Sequence, residues 1–532
     1  MMNTKKQNNI AVIGAGPTTL YFIYTLLGEK IFPQKIAVFE QHDELGKGNP
    51  FRNANAMPHL LSNLKSSELP DLNISFETWL KSTNPPYLIG QTSDSVFSYN
   101  LDGETIETDV IPRKVLGDYF NYCFDKVVKA LQQKGVEVCL HTHTTIRRIT
   151  KLRTCFVVDT GSNTYSGFSH LVVNTGTDLC EHQKEEGVYS AYPPHLYATK
   201  ASSQFYIAGM SLTAIDAALS IAKTKGRFYR HSGDIKYASD TAYTIVMHSR
   251  SGVFPKVWYN SDPVARYQKQ LQEIETPQVS GVESFYRHRL LPVFRKAMPN
   301  IYKQIEFMSF VDAMAFLNQR TNETDPILKL KAELFSLDSD TVQSDWPAII
   351  AAGINCIQQT PLLLQDFLTH YQDIKPHFSA SVASIPPDSA NRLIALYDSG
   401  NLRITKSDSI DAEPRHHPDT IKIDATGVLG DKDKLAKLRE LIVFDSETLN
   451  EGETHVDKVK IQESTDSEEY ELSIADTHEL LRNSLPTRVF VGSAFATPWY
   501  INVPGLDTCA SFAKTIALGC LDSSNYEEAV GE

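Results

Sequence analysis

Ile10-Ala-Val-Ile-Gly-Ala-Gly-Pro-Thr-Thr-Leu20 carries an apolar strand into a glycine turn, and Leu20-Tyr-Phe-Ile-Tyr-Thr-Leu-Leu27 continues it as a buried helix. Gly14 lets the chain turn sharply, and Gly16 lets the backbone approach a pyrophosphate whose charge then faces the start of the helix. Ala15, Pro17, Thr18 and Thr19 complete the stretch assigned to a nucleotide. Thr19 stands where the G-x-G-x-x-G pattern has its third glycine, so helix and strand are expected to pack slightly further apart. A second strand, Lys35-Ile-Ala-Val-Phe-Glu40, ends in an acid 26 residues beyond Gly14. A carboxylate there can hold both ribose hydroxyls of an adenosine and repels a 2′-phosphate.

The loop after this acid points to FAD. Glu40-Gln41-His-Asp-Glu-Leu-Gly-Lys-Gly48 brings two more glycines, which let it pass close to a second phosphate face. Leu171-Val-Val-Asn-Thr175-Gly176 and Ile421-Lys-Ile-Asp-Ala-Thr-Gly427 repeat one ending, an apolar strand followed by Thr-Gly. A second strand–turn–helix unit follows at Gln204–Ser220, with Gly209 in the first glycine position and Ser211, then Leu212, at the second. Its next strand, Thr241–Met247, closes with His248-Ser249-Arg250. An arginine here suits an NADP 2′-phosphate, where an acid would select NAD. The distance from Gly209 to Arg250 is 41 residues, longer than the usual ~20, and a looped-out Gly226–Asp240 accounts for the excess.

The chain has 532 residues, too many for one ordinary core, and a net charge of −13 from 51 basic and 64 acidic residues. That balance argues against nucleic acid or an anionic membrane as partner. Seven cysteines, at positions 123, 139, 155, 180, 356, 509 and 520, include no C-x-x-C pair and read as scattered reduced thiols. Lys5 and Lys6 before the apolar Ile10–Leu27 imitate a signal peptide, but Gly14, Gly16 and Pro17 interrupt it. The expected setting is cytoplasmic, away from membranes.

Several ordered motifs together resemble a family of bacterial FAD/NAD(P)-binding proteins related to the flavin-containing and N-hydroxylating monooxygenases. They are IGAGPTTL at 13–20, GKGNP and HLLSN within 46–63, IPRKVLGDYF at 111–120, GMSLTAID at 209–216, SRSGVFP at 249–255, and Arg488-Val-Phe-Val-Gly492-Ser493. The last is similar to the final FAD-contacting strand of such proteins. The resemblance implies FAD and NADPH (or NADH) as cofactors. Leu61-Ser-Asn63-Leu-Lys65 resembles the asparagine-containing stretch beside the flavin, which implies Leu61 and Asn63 near the isoalloxazine and Lys65 near the nicotinamide or substrate. Arg113 resembles a residue of the segment flanking the flavin, where its charge would offset that of reduced flavin or substrate. Asn63, Lys65 and Arg113 are thus the catalytic candidates.

The implied fold is α/β, with two Rossmann-like dinucleotide-binding domains and a helical insertion. Residues 1–200 form the first part of the FAD domain, 201–415 the NAD(P)H domain with helices inserted at about 283–402, and 416–532 the second part of the FAD domain. The acidic stretch from Glu447 to Glu479 reads as a solvated hairpin or loop. His141, His143, His416 and His417 lack a third ligand at diagnostic spacing, so no metal is expected. Trp258 and Trp499 read as core residues before pocket walls. The function expected is an FAD-dependent, NAD(P)H-using monooxygenase on a small polar substrate, favouring N-hydroxylation of an amine or amino acid. The alternatives are an oxidase or dehydrogenase independent of NAD(P)H and a non-catalytic flavin-binding redox partner.

Overall fold

The run at Ile10 forms β1 (Asn9–Ile13), which leads through the glycine turn into α1 (Pro17–Gly28) and then β2 (Lys35–Phe39). Both strands are buried at every position but the first, as parallel strands covered on both faces must be. Proline at the first position of α1 loses no hydrogen bond, because that amide has no intrahelical partner anyway. β3 (Leu61–Lys65) pairs with β4 (Val110–Pro112), which runs directly into α2 (Arg113–Gln133). β5 (Glu137–His141) and β6 (His170–Val173) complete a parallel core in the order β5-β2-β1-β6. The strand order reverses at β1, so the crevice for a ligand opens beyond its carboxyl end, at Gly14. The coordinates are a computed structural model and describe residues 8–93, 96–101, 103–176, 187–250, 252–257, 262–274, 279–319, 325–338, 346–371, 374, 384–406, 419–426, 436–444, 472–475, 477–492 and 505–522. Gly427, Ser493, Trp258, Trp499, His416, His417 and most of the acidic stretch 447–479 lie outside them.

A second parallel sheet begins with β7 (Val188–Ser190), ahead of the expected boundary, and β8 (Gln204–Ala208), which feeds α3 (Leu212–Lys225). The segment expected to loop out is a hairpin of β9 (Gly226–His231) and β10 (Asp234–Ser239), before β11 (Thr244–Ser249). A short strand β12 (Lys256–Val257) precedes the helices, which start at α4 (Asp262–Glu273), about 20 residues before Glu283. The insertion includes α5 (Pro326–Asp338), α6 (Trp346–Gln359) and α7 (Pro361–His370). Its own core gathers Tyr267, Phe285, Phe294, Ile349 and Phe367. No single helix among the described residues is long and apolar enough to cross a membrane.

β13 (Ser384–Ile385) pairs with β12, and α8 (Pro387–Asp398) packs Ala390, Leu393 and Leu396 into the core of the second sheet rather than into the insertion. β14 (Leu402–Lys406) and β15 (Thr420–Asp424) then complete that sheet in the order β7-β15-β8-β11-β14. Thr420 was expected to mark the return to the FAD domain, and the structure places the return later, where Ile442–Phe444 pairs with Arg148–Lys151. An apolar parallel strand has the same sequence pattern whichever sheet receives it. The antiparallel strands β16 (Leu472–Ile474) and β17 (Glu479–Arg482) extend β18 (Leu485–Val491), which joins β6 and closes the first sheet. The final helix α9 (Leu506–Asp522) packs along α1, with Phe512 and Ile516 in the same core as Leu20 and Phe22.

Candidate functional site

The first dinucleotide turn is defined by contacts too close for a side chain. The amide of Gly14, at φ +91°, donates to the Phe39 carbonyl at 2.8 Å, and a Cβ there would meet the Asn174 carbonyl at 2.5 Å. Gly16 faces Gly48 across the crevice, where a Cβ would meet the Gly48 Cα at 3.3 Å, and Gly48 itself has φ +61°. Gly492 lies on the third side, tucked under the Asn174 side chain and against Thr18. Glu40 closes the rim. Its carboxylate accepts from the Ala15 amide at 2.8 Å and the His42 amide at 3.1 Å, leaving lone pairs for ribose hydroxyls. Gln41 beside it is exposed.

Thr19 finds a role that a glycine could not fill. It is fully buried, and its hydroxyl donates to the Gly14 carbonyl at 2.6 Å while accepting from Asn174 Nδ2 at 3.0 Å. The Oδ1 of Asn174 is buried without a partner in the described structure. Thr175 and Gly176, just beyond it, are exposed at the mouth of the crevice. A cradle of glycines and an α1 terminus with no capping side chain fit the pyrophosphate and adenosine half of FAD. The loop beneath is fixed by Lys47, which sequence reasoning passed over. Its buried ammonium reaches Glu44 at 3.0 Å, Asp118 at 3.1 Å and Asn53 at 3.2 Å.

The second turn repeats the first bond for bond. The Gly209 amide donates to the His248 carbonyl at 2.7 Å, and a Cβ on Gly209 would meet the Ala425 carbonyl at 2.6 Å. Ala208 lies opposite His248 as Ile13 lies opposite Phe39, so Ser249 occupies the place of Glu40 and Arg250 that of Gln41. Ser211 caps α3 from the backbone only, with no side-chain hydrogen bond, and Leu212 opens the helix. Ser249 Oγ accepts from the Gly252 amide at 2.9 Å, Arg250 is exposed, and Lys406 stands opposite Ser249 in β14. Lys406 was not legible in the sequence, since it reaches this edge only through strand pairing. A cleft of about 690 Å³ lined by Ser203, Asp240, Tyr243, Gly400 and Asn401 opens at the opposite, amino end of this sheet and is not part of the nucleotide site.

The catalytic candidates separate. Asn63 takes a left-handed backbone, φ +58°, and its Nδ2 donates to the Ser384 carbonyl at 3.2 Å, so it lies at the seam between the two units. Lys65 turns away to Asp109 at 2.7 Å. Leu61 is buried, and its carbonyl accepts from Arg113 Nε at 3.0 Å. Arg113 Nη1 meets Asp216 of α3 at 2.5 Å and donates to the Tyr192 hydroxyl at 3.1 Å, while that hydroxyl donates to Asp216. Burial opposes the guanidinium charge, but Asp216 and Tyr192 outweigh it and hold the group above its ordinary pKa. Arg113 therefore pins the FAD unit to the second sheet.

Residues 11–178 match a family model described as FAD-NAD(P)-binding. The segment is an FAD–NAD(P)-binding domain, and FAD with a nicotinamide dinucleotide are the cofactors of this chain. Over 417 residues the chain is 24% identical to the uncharacterized protein YdhS of Escherichia coli (strain K12), across 74% of this chain and 76% of that one. Among solved structures, the ornithine hydroxylase PvdA of Pseudomonas aeruginosa aligns with 97% of this chain and 100% of its own, at a TM-score of 0.50 and 11% identity. Cyclohexanone monooxygenase in its closed form aligns with 98% of this chain and 84% of its own, at 0.45 and 13%. The likeness to the ornithine hydroxylase is one of fold.

Two outcomes follow. A Cβ on Gly48 would meet the Pro17 ring at 3.0 Å, so Gly48→Ala narrows the crevice. It should lower FAD affinity about tenfold, or ~1.4 kcal/mol, read as flavin absorbance retained per mole of protein. Asp216→Ala strands a buried guanidinium and should cost about 3 kcal/mol in thermal or urea unfolding. Arg113→Met combined with Asp216→Leu removes both charges and should cost clearly less; equal losses would show that the pair does not act as a unit.

Proposed function

We propose that the chain is an FAD-dependent, NADPH-using monooxygenase acting on a small polar substrate, with hydroxylation of an amine nitrogen as the favoured reaction. The observation that carries this reading is the presence in one chain of two dinucleotide turns of the same geometry, joined where Asn63 meets Ser384. The shared fold with an ornithine hydroxylase over nearly the whole length agrees with it. The overall balance is R–NH2 + O2 + NADPH + H⁺ giving R–NHOH + NADP⁺ + H2O. Bound FAD supplies the two-electron chemistry that links NADPH to oxygen.

The chain's own residues do the rest. Glu40 and the glycine cradle hold the adenosine half of FAD, and the uncapped start of α3 faces the pyrophosphate of the second nucleotide. Ser249 in place of an acid removes the repulsion that would exclude a 2′-phosphate, and Arg250 with Lys406 supplies positive charge on either side of it. NADPH is therefore preferred over NADH. The Arg113–Asp216–Tyr192 cluster keeps the two sheets at the separation at which the cofactors can meet. Asn63 offers an amide at that seam for orienting substrate.

Anaerobic NADPH should bleach the flavin band near ~450 nm in a stopped-flow experiment, and NADH should do so less efficiently. Arg250→Ala and Lys406→Ala should each raise KM for NADPH about tenfold, leaving kcat and KM for NADH nearly unchanged. A flavin reduced by substrate but not by NADPH would replace this reading with that of an oxidase.

A further inference from the structure

Outside both nucleotide turns, two largely buried cations lie close together with one carboxylate, Glu333, acting on both and hydrogen-bonded to neither. Lys256 sits on β12, opposite Ser384 of β13, the residue whose carbonyl receives Asn63. α5 packs against this strand and brings Lys329 and Glu333 to it, with Glu333 Oε2 accepting from the Val257 amide at 2.8 Å. From the helical insertion, the Trp346 ring lies 4.0 Å from the Lys256 ammonium. Lys256 and Lys329 are each only 9% exposed. Neither ammonium has a hydrogen bond or an ion pair among the described residues. Lys47, which is buried, and Arg113, which is partly buried, are both matched to carboxylates. Neither Nζ is among the enclosed atoms that lack a partner, so both ammonium tips reach solvent from largely buried stems, that of Lys256 across an indole face.

We infer that Lys256 and Lys329 form the receptor for a carboxylate group of the substrate, so that the chain acts on a small carboxylate-bearing molecule. Three observations favour substrate over cofactor as the source of the anion. The phosphates of the second nucleotide are already provided for by the start of α3 and by Ser249, Arg250 and Lys406 at the sheet edge. Lys256 is one strand pairing away from Asn63, at the seam between the units. Trp346 brings the helical insertion to Lys256, so the insertion meets the nucleotide units at this point. Assigning the anion to a substrate rests on the monooxygenase reading, whereas the affinity for an anion does not.

Among the described residues, the charged groups facing Lys256 are Glu333 and Lys329, both on α5. Burial lowers the Lys256 pKa to about 8, Glu333 opposes that shift and Lys329 adds to it. Burial lowers Lys329 as well. A bound carboxylate favours the protonated amines, so binding takes up protons around that pH and weakens as pH rises above it.

The test uses the full chain loaded with FAD, titrated calorimetrically with succinate and with its uncharged diamide. Succinate should bind at about pH 7 and at least tenfold more weakly at about pH 9, and the diamide should not bind. Lys256→Met and Lys329→Met should each weaken succinate at least tenfold, and Lys256→Arg should retain it. Neither methionine variant should melt below the parent, because each removes a largely buried charge that no carboxylate hydrogen-bonds. Absence of succinate binding to the parent, or unchanged affinity in Lys256→Met, would overturn the proposal. Displacement of succinate by adenosine 2′,5′-bisphosphate would assign the lysines to the cofactor and overturn the substrate assignment. NADPH-driven flavin reduction in the same preparation judges the monooxygenase reading separately, whatever the titration gives.

Discussion

One backbone hydrogen bond, made twice, organises the molecule. In each unit the first residue past the central strand is a glycine whose amide reaches the carbonyl at the end of the neighbouring strand, Gly14 to Phe39 and Gly209 to His248. The glycine also lies under the backbone of the strand on its other side, where a Cβ would come within 2.5 Å of Asn174 or 2.6 Å of Ala425. The turn is therefore held between two strands and can leave the sheet in one direction only. The following helix starts with its free amides directed at the crevice. Everything placed around a nucleotide, from Glu40 to Ser249, inherits its position from that constraint.

The features legible in sequence were those set by local geometry. Glycine turns need glycine at fixed positions, parallel strands need continuous apolar runs, and the acid or its replacement falls at the end of the second strand. Those rules found Gly14, Gly16, Glu40 and Gly209, and put Arg250 after the second unit's strand, while the equivalence of Ser249 with Glu40 needed the strand register. What they missed depends on strand order and on contacts remote in sequence. Thr420–Asp424 reads as a buried strand, yet nothing in its pattern says that β8 and β7, not the FAD sheet, receive it. Arg113 reads as a loop cation near a flavin, but Asp216, 103 residues later, takes up its charge. Lys406 becomes visible only once β14 is aligned with β11. Thr19 reads only as a spacer between helix and strand, and in the fold it also joins Gly14 to Asn174 through its hydroxyl.

The insertion between β12 and β13 follows the same logic at larger scale. β12 and β13 are two-residue strands that pair with each other, so the chain enters and leaves the inserted helices side by side. Most of them form a core of their own, while α5 packs Ile327 and Leu330 into the core of the sheet beneath. Because Ser384 at the return also accepts from Asn63, that point touches the FAD unit. Three units thus converge on four residues of backbone.

Buried charge distinguishes the parts of this protein that hold it together from the parts that await something. A desolvated cation is tolerated when carboxylates surround it, and removing them is more damaging than replacing the whole pair with apolar groups. Lys47, with two acids and an amide, and Arg113, with Asp216, Tyr192 and a carbonyl, are complete in themselves and fix loop and interface. Lys256 and Lys329, each 9% exposed, carry their ammonium groups without a hydrogen-bonded carboxylate among the described residues. Their nearest carboxylate, Glu333, already serves the Val257 amide. Two cations beside the seam where Asn63 meets Ser384, with Glu333 the carboxylate acting on both, form the anion receptor inferred above.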